Sequence, residues 1–131
     1  MVIDQSRETH GMGSQEPAAQ HEQLRSLYAA FNRRDIPAVL AALAPDVSWP
    51  NGWEGGIVRG HDQVRAYWRR QWAAIDPVVV PTAFHTEDDG RVTVTVHQVV
   101  RTLQGLVVAD QLVKHVYRFT DGLIVDMEIQ D

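Results

Sequence analysis

Apolar positions between residues 17 and 34 recur at helical spacing. Leu24, Leu27, Tyr28 and Phe31 stand at i, i+3, i+4 and i+7, which puts them on one face of an amphipathic helix. A second, short helix is predicted directly after it. Asp35 serves as its N-cap, Pro37 sits in the first turn where a missing N–H costs nothing, and Ile36, Val39, Leu40 and Leu43 form its apolar side until Pro45 ends it. Residues 47–49 fit a short strand, Pro50-Asn51-Gly52 a turn, and residues 57–59 a second brief extended piece. A third helix is predicted over residues 61–75, with Val64, Tyr67, Trp68, Trp72 and Ile75 on or near one stripe. From Pro77 onward the period changes to two. Residues 78–85, 91–103, 106–119 and 123–130 read as strands separated by Asp88-Asp89-Gly90, Gln104-Gly105 and Asp121-Gly122, which supply turn chemistry. Three helices followed by an antiparallel meander make the chain α+β, because a parallel sheet would need helices interleaved between its strands. Residues 1–16 carry neither period and mix charge with Gly and Ser, so they read as a flexible N-terminal tail ahead of a single domain over 17–131.

Composition narrows the partners. The chain has 131 residues, one domain's worth, with 12 Lys and Arg against 17 Asp and Glu for a net charge of −5. That acidity lacks the basic footprint that phosphate binding needs, so no nucleic acid partner is expected. Cysteine is absent, which removes disulfides, thiolate catalysis and cysteine zinc sites. The longest uncharged stretches, residues 36–45 and 77–86, are ten residues each, too short to span a bilayer, and no basic-then-apolar signal opens the chain. A cytoplasmic protein without a membrane partner is the expectation.

The order of elements and several short motifs resemble a known family. The passage over residues 27–60 (LYAAFNRRDIPAVLAALAPDVSWPNGWEGGIVRG) is similar to the opening of the nuclear transport factor 2-like superfamily, which includes ketosteroid isomerases and SnoaL-like polyketide cyclases. The matching features are a helix ending in Asn-x-x-Asp, a short helix ending in Ala-Pro-Asp-Val, a strand, and a Gly before the third helix. Residues 116–122 (VYRFTDG) with Ile124 resemble the family's closing hairpin, and the likeness covers residues 20–130. It implies a cone-shaped α+β barrel, with three N-terminal helices packed on a curved, mainly antiparallel sheet, an apolar pocket at the mouth, and a homodimer formed by the sheet's outer face. A cavity and a core are much to ask of so short a chain, and a partner subunit covering that face would help.

Chemistry carries over only residue by residue. The isomerases use an Asp base and an oxyanion hole of Tyr plus a neutral Asp. Counting from the shared Asp35 puts Asn51 at the base position, and an amide cannot abstract a proton. The same count puts Leu27 at the oxyanion Tyr, with Tyr28 one residue off, and counting back from the Tyr-Arg-Phe of the closing hairpin puts His115 at the neutral Asp. An isomerase using that mechanism is therefore not expected.

Alternation along residues 106–119 groups Gln111, Val113, His115, Tyr117 and Phe119 on one face, which the resemblance turns into the pocket; the preceding strand's Thr93, Thr95, His97, Val99 and Arg101 are assigned to the same cavity. Two imidazoles titrating near neutrality can exchange protons as base and acid, and scytalone-dehydratase-like relatives use pocket histidines. Equally, both can be structural, with His97 facing solvent after a one-residue register slip. Asn51 either polarises a substrate carbonyl or builds the Asn-Gly turn. Trp49, Trp53, Trp68 and Trp72 make either an aromatic wall for a flat ligand or ordinary core, and Met127 and Ile129 complete an apolar lining with Tyr117. Asp126 and Glu128 point away from it, and Arg69 and Arg70 read as a solvated helix face. No metal site is expected, because His97 and His115 lack an inward carboxylate. No phosphate loop, Ser-His-Asp arrangement, HExxH spacing or epoxide-hydrolase Arg/Asp/Asp set stands out. Two functions follow: a cofactor-free acid–base enzyme of isomerase, cyclase or dehydratase type acting on a small apolar, cyclic, carbonyl-bearing metabolite, or a ligand-binding or assembly domain of the same fold without chemistry.

Overall fold

Helix α1 (Pro17–Asn32) opens on a proline in its first turn and buries Leu24, Leu27 and Tyr28, the stripe its spacing predicts. The computed structural model describes residues 16–130; of the tail read over residues 1–16, all but Glu16 lies outside them. Helix α2 (Ile36–Ala41) is capped by Asp35, whose carboxylate accepts the Ala38 N–H at 3.2 Å. It ends sooner than its apolar spacing implies. Leu43 and Pro45 belong instead to strand β1 (Leu43–Pro50), because pairing overrides the local period: Leu43 lies parallel to Ile124, and the Ala42 carbonyl accepts the Ile124 N–H at 3.0 Å. Strand β2 (Ile57–Arg59) and helix α3 (Gly60–Ala74) follow, with Ile75 passing from the predicted helix into strand β3 (Ile75–Thr86), where it pairs with Thr102. Strands β4 (Val92–Thr102), β5 (Val107–Thr120) and β6 (Leu123–Gln130) complete the meander, within a residue or two of the predicted spans.

The six strands form one sheet in the order β2-β1-β6-β5-β4-β3, antiparallel throughout except where β1 runs parallel to β6. Asp121 and Gly122 both take positive φ in the β5–β6 turn, 52° and 81°, as a tight two-residue hairpin requires. Strand β3 is an edge, which explains how it tolerates Pro77 and Pro81 without losing ladder bonds. Part of that edge is occupied by a side chain. Asn32 Nδ2 donates to the Val79 carbonyl at 2.7 Å, and Asn32 Oδ1 accepts the Val79 N–H at 3.0 Å. The Asn-x-x-Asp motif thus has two structural duties, pinning α1 to β3 and capping α2, the pinning alone contributing roughly 1–3 kcal/mol for two hydrogen bonds.

The sheet curves around α1 and α3, so its inner face and the helices enclose the core. Leu24, Val47, Val64, Val92, Val94, Val96 and Ile124 are fully buried in it. Each contributes roughly 1.5–3 kcal/mol relative to exposure. This is the predicted α+β cone, three helices on a mainly antiparallel sheet. Among the described residues no helix is long and apolar enough to cross a membrane.

Candidate active-site cavity

The core is not filled to the mouth of the cone. A cavity of about 530 Å³ lies between the inner sheet face and the two long helices. One wall is aromatic: Trp49 of β1 meets Trp68 of α3 edge to face at 5.5 Å between ring centres, and Trp68 meets Phe31 of α1 at 5.7 Å. Trp53, more exposed on the β1–β2 loop, stands at the rim, and Met127 and Ile129 of the neighbouring strand β6 add to the lining, Ile129 reaching Gly52 beside Trp53. Trp72 is a correction to the predicted lining. Its ring stacks on Trp68 at 6.0 Å between ring centres, meets Phe31 of α1 at 5.1 Å and lies 4.9 Å from the Arg34 guanidinium, so it is spent on packing α3 against α1 and does not line the cavity.

The floor is polar and buried. Tyr117 donates its hydroxyl to Tyr28 at 2.8 Å, and Tyr28 lies 2.8 Å from His115 Nδ1. With Tyr117 as the donor, Tyr28 accepts there and turns its own proton to Nδ1. In that arrangement the neutral His115 ring carries its proton on Nε2, the nitrogen left for a ligand in the cavity. Burial lowers the His115 pKa from 6.5 to about 4, so the ring is uncharged at neutral pH. Burial also raises the Tyr28 and Tyr117 hydroxyls above the ordinary phenol range, so neither ionises readily. The floor is therefore a fixed N–H donor backed by two phenols, suited to stabilising negative charge on a ligand oxygen.

Two predicted residues are not brought to this floor. His97 lies on the other face of the sheet, paired with Leu112 across the ladder, and its Nε2 stands 2.7 Å from Asp110 Oδ1. The strand register places Val94 beside His115 and Val96 beside Val113, so the even-numbered residues of β4 face inward. The strand's own alternation carries this signal, since Val92, Val94 and Val96 are its apolar phase. Asn51 is buried but spent on its own loop: Oδ1 accepts the Glu54 N–H at 2.7 Å, and Nδ2 donates to the Glu54 carboxylate at 2.9 Å. Arg70, read as a solvated residue, holds the same carboxylate at 2.9 Å and helps keep the Glu54 pKa low. Neither His97 nor Asn51 lines the cavity. Among the described residues, no cluster of three or more His, Cys, Asp or Glu offers a metal site.

Tyr28 is the floor residue that the ungapped count misses, placing Leu27 there. Both residues line the cavity, about 100° apart around the helix axis. The available signal is chemical: a Tyr on an apolar helical stripe needs a buried hydrogen-bond partner.

A family model described as a SnoaL-like domain matches residues 24–127. Among solved structures, a nuclear transport factor 2-like protein of unknown function from Burkholderia pseudomallei is 35% identical, covering 85% of this chain and 89% of its own, with a TM-score of 0.74. TerC, co-crystallised with polyporic acid, is 28% identical over 85% of this chain and 90% of its own, with a TM-score of 0.73. A Mycobacterium tuberculosis protein in complex with estradiol-17β-hemisuccinate shares the fold at 21% identity, 88% and 93% coverage and a TM-score of 0.71. No curated protein matches the chain.

Proposed function

The chain belongs to the SnoaL-like domain family of the nuclear transport factor 2-like superfamily, and on that premise we propose that its cavity takes a flat, cyclic, carbonyl-bearing metabolite and promotes cofactor-free enolate-type chemistry on it. The observation that carries this reading is the buried Tyr117–Tyr28–His115 chain at the floor of an otherwise largely apolar cavity. The substrate carbonyl oxygen accepts from His115 Nε2–H. As the α C–H bond breaks, its electron pair forms the C=C bond and the carbonyl π pair moves onto oxygen, where the N–H donor stabilises it. The proton passes to water or to a basic oxygen of the substrate. Isomerisation, cyclisation and loss of water all share this intermediate. His115 acts here as a neutral hydrogen-bond donor, in the manner of a neutral imidazole electrophile, rather than as one half of a histidine pair.

Proton exchange tests it. In D₂O, 2-tetralone is expected to exchange its α-protons faster with the protein than without it, read by NMR. Binding of 2-tetralone without accelerated exchange would overturn catalysis and favour the second reading, a ligand-binding domain. A specific observation favours that alternative: no carboxylate lines the cavity among the described residues, so the protein itself supplies no strong base. The ligand-bound relatives support occupancy of the cavity under either reading.

A homodimer through the outer sheet face belongs to the same proposal. Val80, His97 and Leu112 stand in one row across β3, β4 and β5, with Val80 47% and Leu112 65% exposed. Two bulky apolar side chains on a row of a solvent-facing sheet are unusual without a cover. Leu112→Glu is expected to convert a dimer to monomer by light scattering, while a wild-type chain that is already monomeric at high concentration refutes the interface.

A further inference from the structure

The mouth of the cavity carries polar groups that the floor chemistry leaves unused. Gln98 of β4 and Gln111 of β5 stand opposite each other in the ladder, and both line the cavity. Neither carboxamide has a hydrogen-bond partner among the described residues. Between them and His115 the inner face of β5 presents only Val113, so polar groups are confined to the two ends of this strand's wall.

We propose that Gln98 and Gln111 are the outer anchor of the ligand, and that the ligand is an uncharged, elongated ring system carrying a hydrogen-bonding oxygen at each end. The proposal rests on the reading of His115 as the inner anchor. Its length follows from strand geometry. Gln111 and His115 are four residues apart on an uninterrupted stretch of β5, so their Cα atoms lie roughly 13 Å apart at about 3.4 Å per residue. Both side chains project from the same face, so their polar heads keep about that separation. About three fused rings bridge it, with one oxygen meeting Nε2–H at the floor and the other meeting the amides.

The charge of the ligand follows from the lining. No Asp, Glu, Lys or Arg lines the cavity among the described residues. A group that carries a full charge into the cavity would be buried without a counter-charge, which disfavours it against a neutral one. A carboxamide presents both a carbonyl acceptor and N–H donors, so the outer anchor accommodates a hydroxyl or a ketone but supplies no counter-charge. Single-ended or ionised molecules of the same size gain only one of the two anchors.

Calorimetric titration with 2,7-dihydroxyfluorene and 2-hydroxyfluorene tests this, since the two differ only in the second terminal hydroxyl. The two-ended probe is expected to bind the wild-type chain about tenfold more tightly, the effect of one to two neutral hydrogen bonds. Gln98→Leu with Gln111→Leu is expected to abolish that preference while holding the affinity for 2-hydroxyfluorene within about twofold. Both positions are partly or largely open to solvent and spend no hydrogen bonds on the fold, so the variant should keep the wild-type thermal midpoint. Equal loss for both probes, or a preference that survives the double substitution, overturns the outer anchor. The inner anchor is tested apart from it: His115→Phe should weaken both probes alike. If that variant binds both as the wild type does while the glutamines still discriminate, the outer anchor stands and the reading of the floor falls.

Discussion

Replacing His115 with phenylalanine is expected to lower the protein-dependent α-proton exchange of 2-tetralone by about 10²- to 10³-fold, the usual cost of losing one preorganised oxyanion donor. Phenylalanine keeps the ring volume and the apolar wall but removes Nε2–H. Affinity for the ground-state ketone should fall no more than about tenfold, because a neutral carbonyl accepts a weaker hydrogen bond than the developing oxyanion does. The loss therefore falls mainly on the rate and little on binding. The substitution also strips the hydroxyl of Tyr28, a residue only 3% exposed, of its acceptor at Nδ1. Stability should fall by about 1–3 kcal/mol for the orphaned donor. Adding Tyr28→Phe removes that donor but orphans the buried Tyr117 hydroxyl in turn. Part of the stability should therefore return only when Tyr117→Phe is added as well, and exchange should not return, which separates folding from chemistry. Tyr28→Phe alone leaves Nδ1 without its proton donor and frees the tautomer, so exchange should fall by about tenfold, the worth of one buried hydrogen bond. Unchanged exchange in His115→Phe would place the reaction elsewhere in the cavity, or nowhere.

Acid should destabilise the fold through the same residue. The folded-state pKa of His115 is depressed from 6.5 to about 4 by burial. Between those values the unfolded chain binds a proton at this site that the folded chain refuses, so stability rises with pH across the window. The contribution is fully present above about pH 6.5 and is lost progressively as pH falls toward 4. About 3 kcal/mol is at stake for a shift of this size. Chemical denaturation at pH 7 and at pH 4 measures the difference, and His115→Phe, which cannot titrate, isolates the histidine's share from that of the carboxylates. Parallel pH curves for the wild type and the variant would show that the imidazole is protonated in the folded state after all. The prediction also bears on function, because protonation turns a neutral donor held by Tyr28 into a cation whose Nδ1–H opposes the Tyr28 proton.

Much of the fold is legible in the chain. The stripe of α1, the Asp35 cap and the closing Asp121-Gly122 turn are local features, each set by side-chain spacing or backbone preference within a few residues. Leu43 and Ile75 are misread at element ends for one shared reason. Their helical spacing is genuine, but a strand partner far along the chain, Ile124 for one and Thr102 for the other, satisfies their backbone better. The site is less legible. His115 and Tyr117 follow from alternation on one strand together with the resemblance, whereas His97 depends on how two strands register. A slip of one residue reverses the face, and only the Val-rich phase of β4 hints at the right one. Asn51 is ambiguous by nature, since the same amide builds a turn or meets a ligand, and here Glu54 takes both its ends.

Taken by itself, the sequence determined the class of fold, the order of elements, the family resemblance and the absence of cysteine chemistry, because these depend on composition and on periods within single segments. The tertiary structure alone decided which polar groups meet. Tyr28, His115 and Tyr117 become one hydrogen-bonded chain across 87 and 89 residues of sequence, and Gln98 comes to face Gln111 only through strand pairing. Such meetings are set by register, by helix rotation and by the direction of each hydroxyl proton. None of these is encoded by any one segment, since each is the outcome of packing several of them around a shared cavity.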